Sequence, residues 1–196
     1  MNIELLLAAV ALLTGAVGCA PRGGITLHQT FAPSGQRELT LQNSRSHASS
    51  SPDARTIVAT FSRPDAETAS RDFVLYLVTP PNEGEWVVDA GSTFAARGFL
   101  IQTAGSLRGK TLLTGGSAIV RRAAWPRTNE YLVELALRCA DETRIVGALR
   151  AKEAPYDALL VERRYAADVI ELTGREVGGQ SDPLPEPTPP RATAWR

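Results

Sequence analysis

The segment 131–139, YLVELALRC, constrains the fold more than any other stretch of the chain. Successive side chains of a β-strand point to opposite faces of the sheet. With that period, the segment places a tyrosine, a valine, two leucines and Cys139 on one face, and Glu134 and Arg138 on the other. This alternation is typical of a strand with one face in a core and the other in water. We therefore predict that Cys139 is a small core residue rather than a reactive or metal-binding thiol.

The residues around this strand predict how it pairs. Residues 140–143, ADET, separate it from a second apolar run at 144–151, and the combination indicates an antiparallel hairpin. Glycine, proline and other turn residues separate further runs rich in β-branched and aromatic residues, at 25–31, 38–42, 56–61, 72–78, 86–88, 99–103, 110–113 and 118–121. The run 72–78 is apolar on both faces, which predicts a strand covered on both sides. We predict an all-β, mainly antiparallel fold, a single β-sandwich or barrel-like domain.

Four segments lack this strand pattern. Residues 43–54 are rich in serine and have no periodicity, so we expect an exposed Ser-rich loop. Residues 115–117, GGS, are expected to form a turn. The segment 156–172 fits either strand, bulge, strand or a helical turn or two, and we favour the first. The Pro-rich segment 174–196 cannot build a core, so we predict a disordered, extended tail.

The chain begins with an apolar run that is short for a membrane span. Residues 5–17 contain no charged side chain. As a helix they would extend about 20 Å, whereas the hydrocarbon core of a bilayer is about 30 Å thick. This length is typical of the hydrophobic region of a secretory signal peptide, and small residues follow it.

The end of this run, Ala16, Val17, Gly18 and Cys19, resembles the lipobox of bacterial lipoproteins. In that family the signal peptide is cut just before the cysteine, whose thiol carries diacylglycerol, and the new amino group is usually acylated. The resemblance implies cleavage between Gly18 and Cys19 and attachment of palmitate-type chains at Cys19. Two or three such chains hold a protein to a bilayer. The implied location is the bacterial cell envelope, on the periplasmic or outer-surface side.

Three other interpretations of the apolar run remain open. Cleavage by the ordinary signal peptidase would release a soluble secreted binding domain, and an uncleaved run would act as a membrane anchor. In the third, the run is a buried apolar N-terminal helix of a cytosolic protein. On the lipoprotein interpretation the chain has four parts. These are a signal peptide at 1–18, the lipidated cysteine with a short tether at 19–24, a β-rich domain at 25–173 and the tail at 174–196.

The composition excludes one class of partner. The chain has 21 Lys and Arg residues against 21 Asp and Glu residues, so its formal net charge is zero. Proteins that bind nucleic acid usually carry a pronounced basic surface. We therefore predict no nucleic-acid partner.

The chain offers few residues for catalysis. His28 and His47 have no partner at a metal-ligand spacing, and no glycine motif for phosphate or dinucleotide binding is present. Carboxylates that could form a hydrolytic pair, mostly at expected turns and strand ends, are Glu83, Glu85, Asp89, Asp141, Glu142 and Asp157. We predict no catalytic residue, no metal and no cofactor. An exported hydrolase with an unrecognised carboxylate site is the alternative.

A tryptophan flanked by arginines is the best candidate for a contact with a partner. Trp125 follows Arg121 and Arg122 in a segment expected to join two strands. Tryptophan and arginine are enriched at binding hot spots. The competing interpretation is that Trp125 folds back over the end of the domain. The sequence thus predicts a lipid-anchored envelope lipoprotein whose non-catalytic β-domain binds an envelope protein or a glycan, or serves a structural role.

Overall fold

The structure is a computed structural model that describes residues 23–31, 35–63, 71–89, 91–92, 94–104 and 107–174. The predicted signal peptide, Gly18, Cys19 and the Pro-rich segment 175–196 lie outside these residues. The described part consists of nine strands and two helices. In chain order they are β1 (Gly23–Phe31), β2 (Gly35–Ser50), β3 (Arg55–Ser62), β4 (Arg71–Thr79), β5 (Gly84–Val87), β6 (Arg97–Ala104), β7 (Leu107–Arg122), β8 (Glu130–Cys139), β9 (Arg144–Glu153), α1 (Pro155–Arg164) and α2 (Ala166–Thr173).

Eight of the strands close into an antiparallel barrel. Each pairs with the next along the chain, except that β4 pairs with β6, and β9 returns to pair with β1. The short strand β5 lies beside β7, where β6 has ended. The all-β, mainly antiparallel prediction is therefore confirmed, in its barrel form. Within the described residues, each of the eight ring strands has a neighbour on both sides, and β5 pairs with β7 alone.

The interior is filled by the apolar side of each strand. In β8 the alternation predicted from the sequence is confirmed, since the residues from Tyr131 to Cys139 on the core side are buried and Glu134 and Arg138 are exposed. The hairpin between β8 and β9 is confirmed as well. Leucine, isoleucine and phenylalanine side chains from the other strands complete this core, including Leu27, Leu41, Ile57, Phe61, Phe73, Leu75 and Leu77.

The prediction of a Ser-rich loop at 43–54 is wrong, because β2 continues to Ser50 and only residues 51–54 form the turn. The ladder between β2 and β3 shifts between Asn43 and Arg45. This bulge adds one residue to β2, so inward-facing positions change from odd numbers, as at Leu41, to even numbers, as at Ala48. The inward residues beyond the bulge are small or polar, which removes the alternation that marks a strand.

A second bulge explains why the predicted turn at 115–117 is also wrong. β7 runs unbroken through this segment, and its ladder with β8 shifts between Leu113 and Gly115. Gly116 has a φ of +95°, and a Cβ there would lie 2.0 Å from the Ala136 carbonyl oxygen. Only glycine fits such a close crossing of strands. The glycines therefore bend one long strand rather than separate two.

The segment 156–172 forms helices, so the prediction of strand, bulge, strand is wrong. Pro155 occupies the first turn of α1, Asp157 follows it, and Arg163 and Arg164 lie in the last turn. These residues suit the partial charges of the helix ends. Gly174, in the left-handed conformation, ends α2. The helix-end residues and the packing of the helices on the barrel therefore outweigh the strand propensity of the apolar residues in this segment.

The two helices cover the outer face of β3, β4 and β6. The outward residues of these strands form a second apolar cluster with Tyr165 and Val169, made up of Val58, Val74, Tyr76, Val78, Phe99 and Ile101. The Tyr76 hydroxyl donates a hydrogen bond of 2.9 Å to Glu162. The prediction that the run at 72–78 is covered on both faces is confirmed for residues 73–78, since the core lies on one side and the helices on the other.

The barrel has two ends that differ in their loops. The end that we call the Trp125 end carries the turns at 51–54, 80–83 and 123–129. The opposite end carries the hairpin turn at 140–143. The chain enters β1 on the side of the Trp125 end. Gly23 and Gly24 already pair with β9 and β2, so the predicted tether, 19–24, is too long by these two residues.

Candidate functional site

A buried tyrosine closes the barrel at the Trp125 end. Tyr131 is the first core-facing residue of β8 and is 1% exposed. Two guanidinium groups lie over its ring, with Cζ of Arg55 4.2 Å and Cζ of Arg122 5.4 Å from the ring centroid. Cation–π contacts of this kind are stronger where water is excluded. The tyrosine thus holds two cations, from β3 and β7, at one position.

The hydroxyl of Tyr131 continues this contact into a chain of hydrogen bonds. Arg122 donates to it over 2.9 Å, and it lies 3.2 Å from Oγ of Ser50. Ser50 in turn donates to Oε2 of Glu153 over 3.0 Å, and its backbone N–H donates to Oε1 over 2.9 Å. The chain therefore runs from a guanidinium to a carboxylate, a direction in which each bond polarises the next.

Arg55 fixes a loop at the same end. Its side chain is buried, 5% exposed, and donates to the carbonyl oxygens of Pro81 and Asn82 in the turn between β4 and β5. Its Nε lies 3.4 Å from Oγ of Ser50. A buried guanidinium must have its donors satisfied, and carbonyl oxygens supply the acceptors here. The network therefore holds the loops at 51–54, 80–83 and 123–129 together and is not an open reactive centre.

The predicted contact of Trp125, Arg121 and Arg122 does not form one surface. The two arginines are consecutive on β7, so their side chains point to opposite faces. Arg122 is exposed but reaches Tyr131 at the barrel end, and the hydrogen bond that it donates to the Tyr131 hydroxyl raises the pKa of its guanidinium. Arg121 points outwards and lies 3.7 Å from Glu134.

Trp125 itself is presented to solvent on an ordered loop. Its side chain is 86% exposed, so the interpretation in which it folds back over the barrel is wrong. The bond between Trp125 and Pro126 is cis. Backbone hydrogen bonds hold the loop, from Ala123 to Glu130, from Arg127 to Ala124 and from Glu153 to Asn129. A large apolar side chain held in water on a fixed loop is a candidate contact residue.

A basic groove lies beside this loop on the outer surface. It has a volume of about 360 Å³. Residues 43–46 of β2 form one wall, and the loop with strands β8 and β9 forms the other, through Arg127, Glu130, Arg150 and Lys152. With Arg45, the groove holds four cations and one carboxylate, a net charge of +3. Arg150 lies 4.0 Å from Glu130, which leaves Arg45, Arg127 and Lys152 to face solvent.

A second groove, of about 610 Å³, lies on β1, β2 and β9 towards the opposite end. His28 and Glu38 lie on one side of it, 3.6 Å apart, and Glu142 and Arg144 on the other. Both charges occur in near balance here, and the side chains of His28 and Glu38 are largely exposed. We therefore assign this groove no ligand.

The residues considered for catalysis are spread over the molecule. His47 lies 3.7 Å from Asp157 of α1. Glu83 accepts the backbone N–H of Arg122, Asp89 that of Gly91 and Asp141 that of Thr143. Glu83 thus links the 80–83 turn to the end of β7, whereas Asp89 and Asp141 each order their own turn. Within the described ranges, no group of three or more His, Cys, Asp or Glu side chains could hold a metal ion.

The comparisons with known proteins add no relative. The chain matches no protein-family model, no curated protein and no solved structure. Neither α1 nor α2, the helices of the described part, is long and apolar enough to cross a membrane.

Sequence reasoning missed the network around Tyr131 and the basic groove. Ser50, Arg55, Tyr131 and Glu153 are far apart in the chain, and only closure of the barrel brings them together. A weak signal was present, because Arg55 is the first residue of β3 and Tyr131 the second of β8, and each is the polar or charged member of an otherwise apolar face. No spacing rule connects Arg45 with Arg127 and Lys152.

Proposed function

We propose that this protein is a lipid-anchored lipoprotein of the bacterial cell envelope, with a non-catalytic barrel that serves as a binding or structural module. The observation that carries the proposal is the apolar leader ending in Ala16, Val17, Gly18 and Cys19. The distance along the chain supports it, since only three residues lie between Cys19 and the first residue of β1, Gly23. A folded domain would thus begin directly behind the anchor, as expected for a domain held close to a membrane.

The architecture is compatible with a binding role. The core of the barrel is packed with apolar side chains, and the polar network around Tyr131 fixes the loops at one end. A rigid barrel with fixed loops presents a defined surface, on which Trp125 is the exposed aromatic residue of the 123–129 loop. Binding sites on loops that a rigid scaffold positions are common in β-barrel proteins.

Metabolic labelling tests the anchor. We expect a clickable palmitate analogue to label the full chain in a bacterial host that processes lipoproteins, and the labelled protein to sediment with membranes. Cys19→Ser should abolish the labelling, because sulfur is the nucleophile that takes the lipid. Cys139→Ala is the matched control: it removes the other cysteine, which is buried, and should leave labelling unchanged.

The outcomes separate the competing interpretations. Unchanged labelling in the Cys19→Ser variant would contradict the proposal. Protein released into the soluble fraction without lipid would support a secreted binding domain instead. The hydrolase alternative requires two carboxylates in one cleft. Glu38 and Glu142 line the groove near the opposite end, whereas Glu83, Asp89 and Asp141 accept hydrogen bonds from backbone N–H groups.

A further inference from the structure

We infer that the basic groove and the Trp125 loop form the membrane-facing surface of the protein, which binds the headgroups of anionic phospholipids beside the anchor. The inference rests on the proposed function, because it needs the lipid on Cys19. It adds an orientation and a lipid class to that function. Three observations carry it: where the chain enters the barrel, the charge of the groove and the exposed indole beside it.

The chain enters the barrel at the groove. Gly24 pairs with Gln42 of β2, and Gly23 pairs with Leu149 of β9. The next residues of these two strands, Asn43 and Arg150, line the groove. β1 therefore begins between the two strands whose next residues form the walls of the groove.

The short connection keeps the groove near the membrane. Between Cys19 and Gly23 the extended chain reaches at most about 14 Å. The lipid on Cys19 must lie in the bilayer, and the headgroup layer is several ångströms thick. The short connection therefore keeps the groove close to the lipid headgroups. The Debye length is about 8 Å at physiological ionic strength, so the cations of the groove and the lipid headgroups are close enough to attract each other.

The charge of the groove matches an anionic surface. Arg45, Arg127 and Lys152 are exposed, and Arg150 is only partly offset by Glu130. The whole chain has no net charge, so a local excess of +3 is a concentration of positive charge at one place. Basic clusters next to a membrane attachment point are typical sites for acidic headgroups.

Trp125 supplies the apolar part of the same surface. It lies two residues before Arg127, on the loop that forms one side of the groove, and is 86% exposed. Tryptophan is enriched at the membrane–water interface, where its ring is buried at headgroup depth. An exposed indole beside cations is thus expected to enter the interface while the cations contact phosphate.

Depth measurements on the lipidated full chain test the orientation. A fluorophore is attached at Thr128→Cys in the 123–129 loop or at Ala140→Cys at the opposite end, both exposed turn positions. Cys139 is buried, and burial raises its pKa to about 12, so it does not compete for the label. Each labelled protein is reconstituted into vesicles of phosphatidylcholine with phosphatidylglycerol, or of phosphatidylcholine alone. A nitroxide on the lipid headgroups serves as quencher.

We expect strong quenching at Thr128→Cys and weak quenching at Ala140→Cys in the anionic vesicles, with a smaller difference in phosphatidylcholine alone. The triple variant is Arg45→Gln, Arg127→Gln, Lys152→Gln. It should lower the equilibrium constant that favours the orientation with the groove towards the membrane by about fivefold for each cation removed. Its matched control, Arg37→Gln, Arg138→Gln, Arg144→Gln, removes three exposed cations away from the groove and should leave the difference unchanged.

The outcomes distinguish a wrong orientation from a missing anchor. Equal quenching at the two labels on protein whose Cys19 is lipidated by mass spectrometry would overturn the orientation and leave the anchor intact. An equal loss in both triple variants would likewise overturn it, because net charge and not the groove would be responsible. So would removal of the difference by inorganic phosphate at constant ionic strength, because the groove would then be a site for free anions. An unmodified thiol at residue 19 would overturn both this inference and the proposed function.

Discussion

Cys139 shows how the barrel interior changes the chemistry of a single side chain. Its side chain is fully buried at the last core position of β8, opposite Leu113 of β7. Burial, with a smaller contribution from the charge of Asp141, raises the pKa of the thiol from its ordinary value near 9 to about 12. The nucleophilic form of cysteine is the thiolate. Cys139 is therefore protonated and inert in the folded protein, as expected for a core residue.

This shift predicts a loss of stability in alkali. Between pH 9 and pH 12 the folded state keeps the proton on Cys139 and the unfolded state loses it, so the free energy of unfolding falls as the pH rises. The contribution of Cys139 to that fall should be about 1.4 kcal/mol between pH 8 and pH 10. Urea unfolding at the two pH values measures it.

The control is the Cys139→Ala variant, in which the other titrating groups are unchanged. Its stability should fall less than that of the original chain over the same interval. Parallel pH profiles for the two proteins would refute the raised pKa. The variant's overall stability at pH 8 also reports how well the core tolerates the loss of the sulfur atom.

The helices α1 and α2 act as a cover for the barrel wall rather than as part of the ring. Val169 packs in the cluster beneath them and is 3% exposed, whereas its neighbour Ile170 is 42% exposed. Ion pairs support the same attachment, since Asp168 contacts Arg108 and lies 3.3 Å from Lys110 of β7. Apolar burial contributes more than these partly exposed ion pairs.

Two alanine substitutions in α2 test this view. Val169→Ala removes buried methyl groups and should lower the free energy of unfolding by about 1–2 kcal/mol. Ile170→Ala, the matched control, removes more carbon from an exposed position and should change it by less than about 0.5 kcal/mol. Both changes replace a β-branched residue by alanine, so their effects on helix propensity nearly cancel in the comparison. Urea denaturation is the measurement, and equal losses would show that the helices are not docked as described.

Pairing between β1 and β9 closes the ring of eight strands. At this seam Gly147 has a φ of +155°, and a Cβ there would lie 2.3 Å from the carbonyl oxygen of Gly24. The two backbones are therefore too close for any other residue. Because β9 also pairs with β8, a change at Gly147 affects both the β1–β9 and the β8–β9 pairings.

Gly147→Ala should destabilise the whole molecule by about 2–4 kcal/mol, from backbone strain and overpacking together. Gly109→Ala is the matched control, since a Cβ at Gly109 of β7 would meet no atom within 4 Å. That change should be neutral or slightly stabilising, because it restricts the unfolded chain. Thermal unfolding of both variants checks the prediction. A Gly147→Ala variant as stable as the original chain would show that the seam can open without loss.

The sequence alone determined the strands whose side chains alternate and the antiparallel class of the fold. The pattern of 131–139 required only a local rule, the two-residue period of a strand, and the two-sided apolar run at 72–78 required a cover on its outer face. The apolar run that ends at Cys19 is likewise a local feature, and its proposed role as a lipoprotein leader depends only on that residue and its neighbours.

Only the tertiary structure decided the course of 43–50, the helical form of 156–172 and the positions of the charged residues. A bulge at Asn43–Arg45 reverses which residues point inwards, and its effect is visible only when β3 is in place. The helices are stabilised by a barrel face assembled from three separate strands. The basic groove and the Tyr131 network join residues from distant segments. In a closed ring of strands, the pairing register decides which residues become neighbours, and their distance along the chain does not.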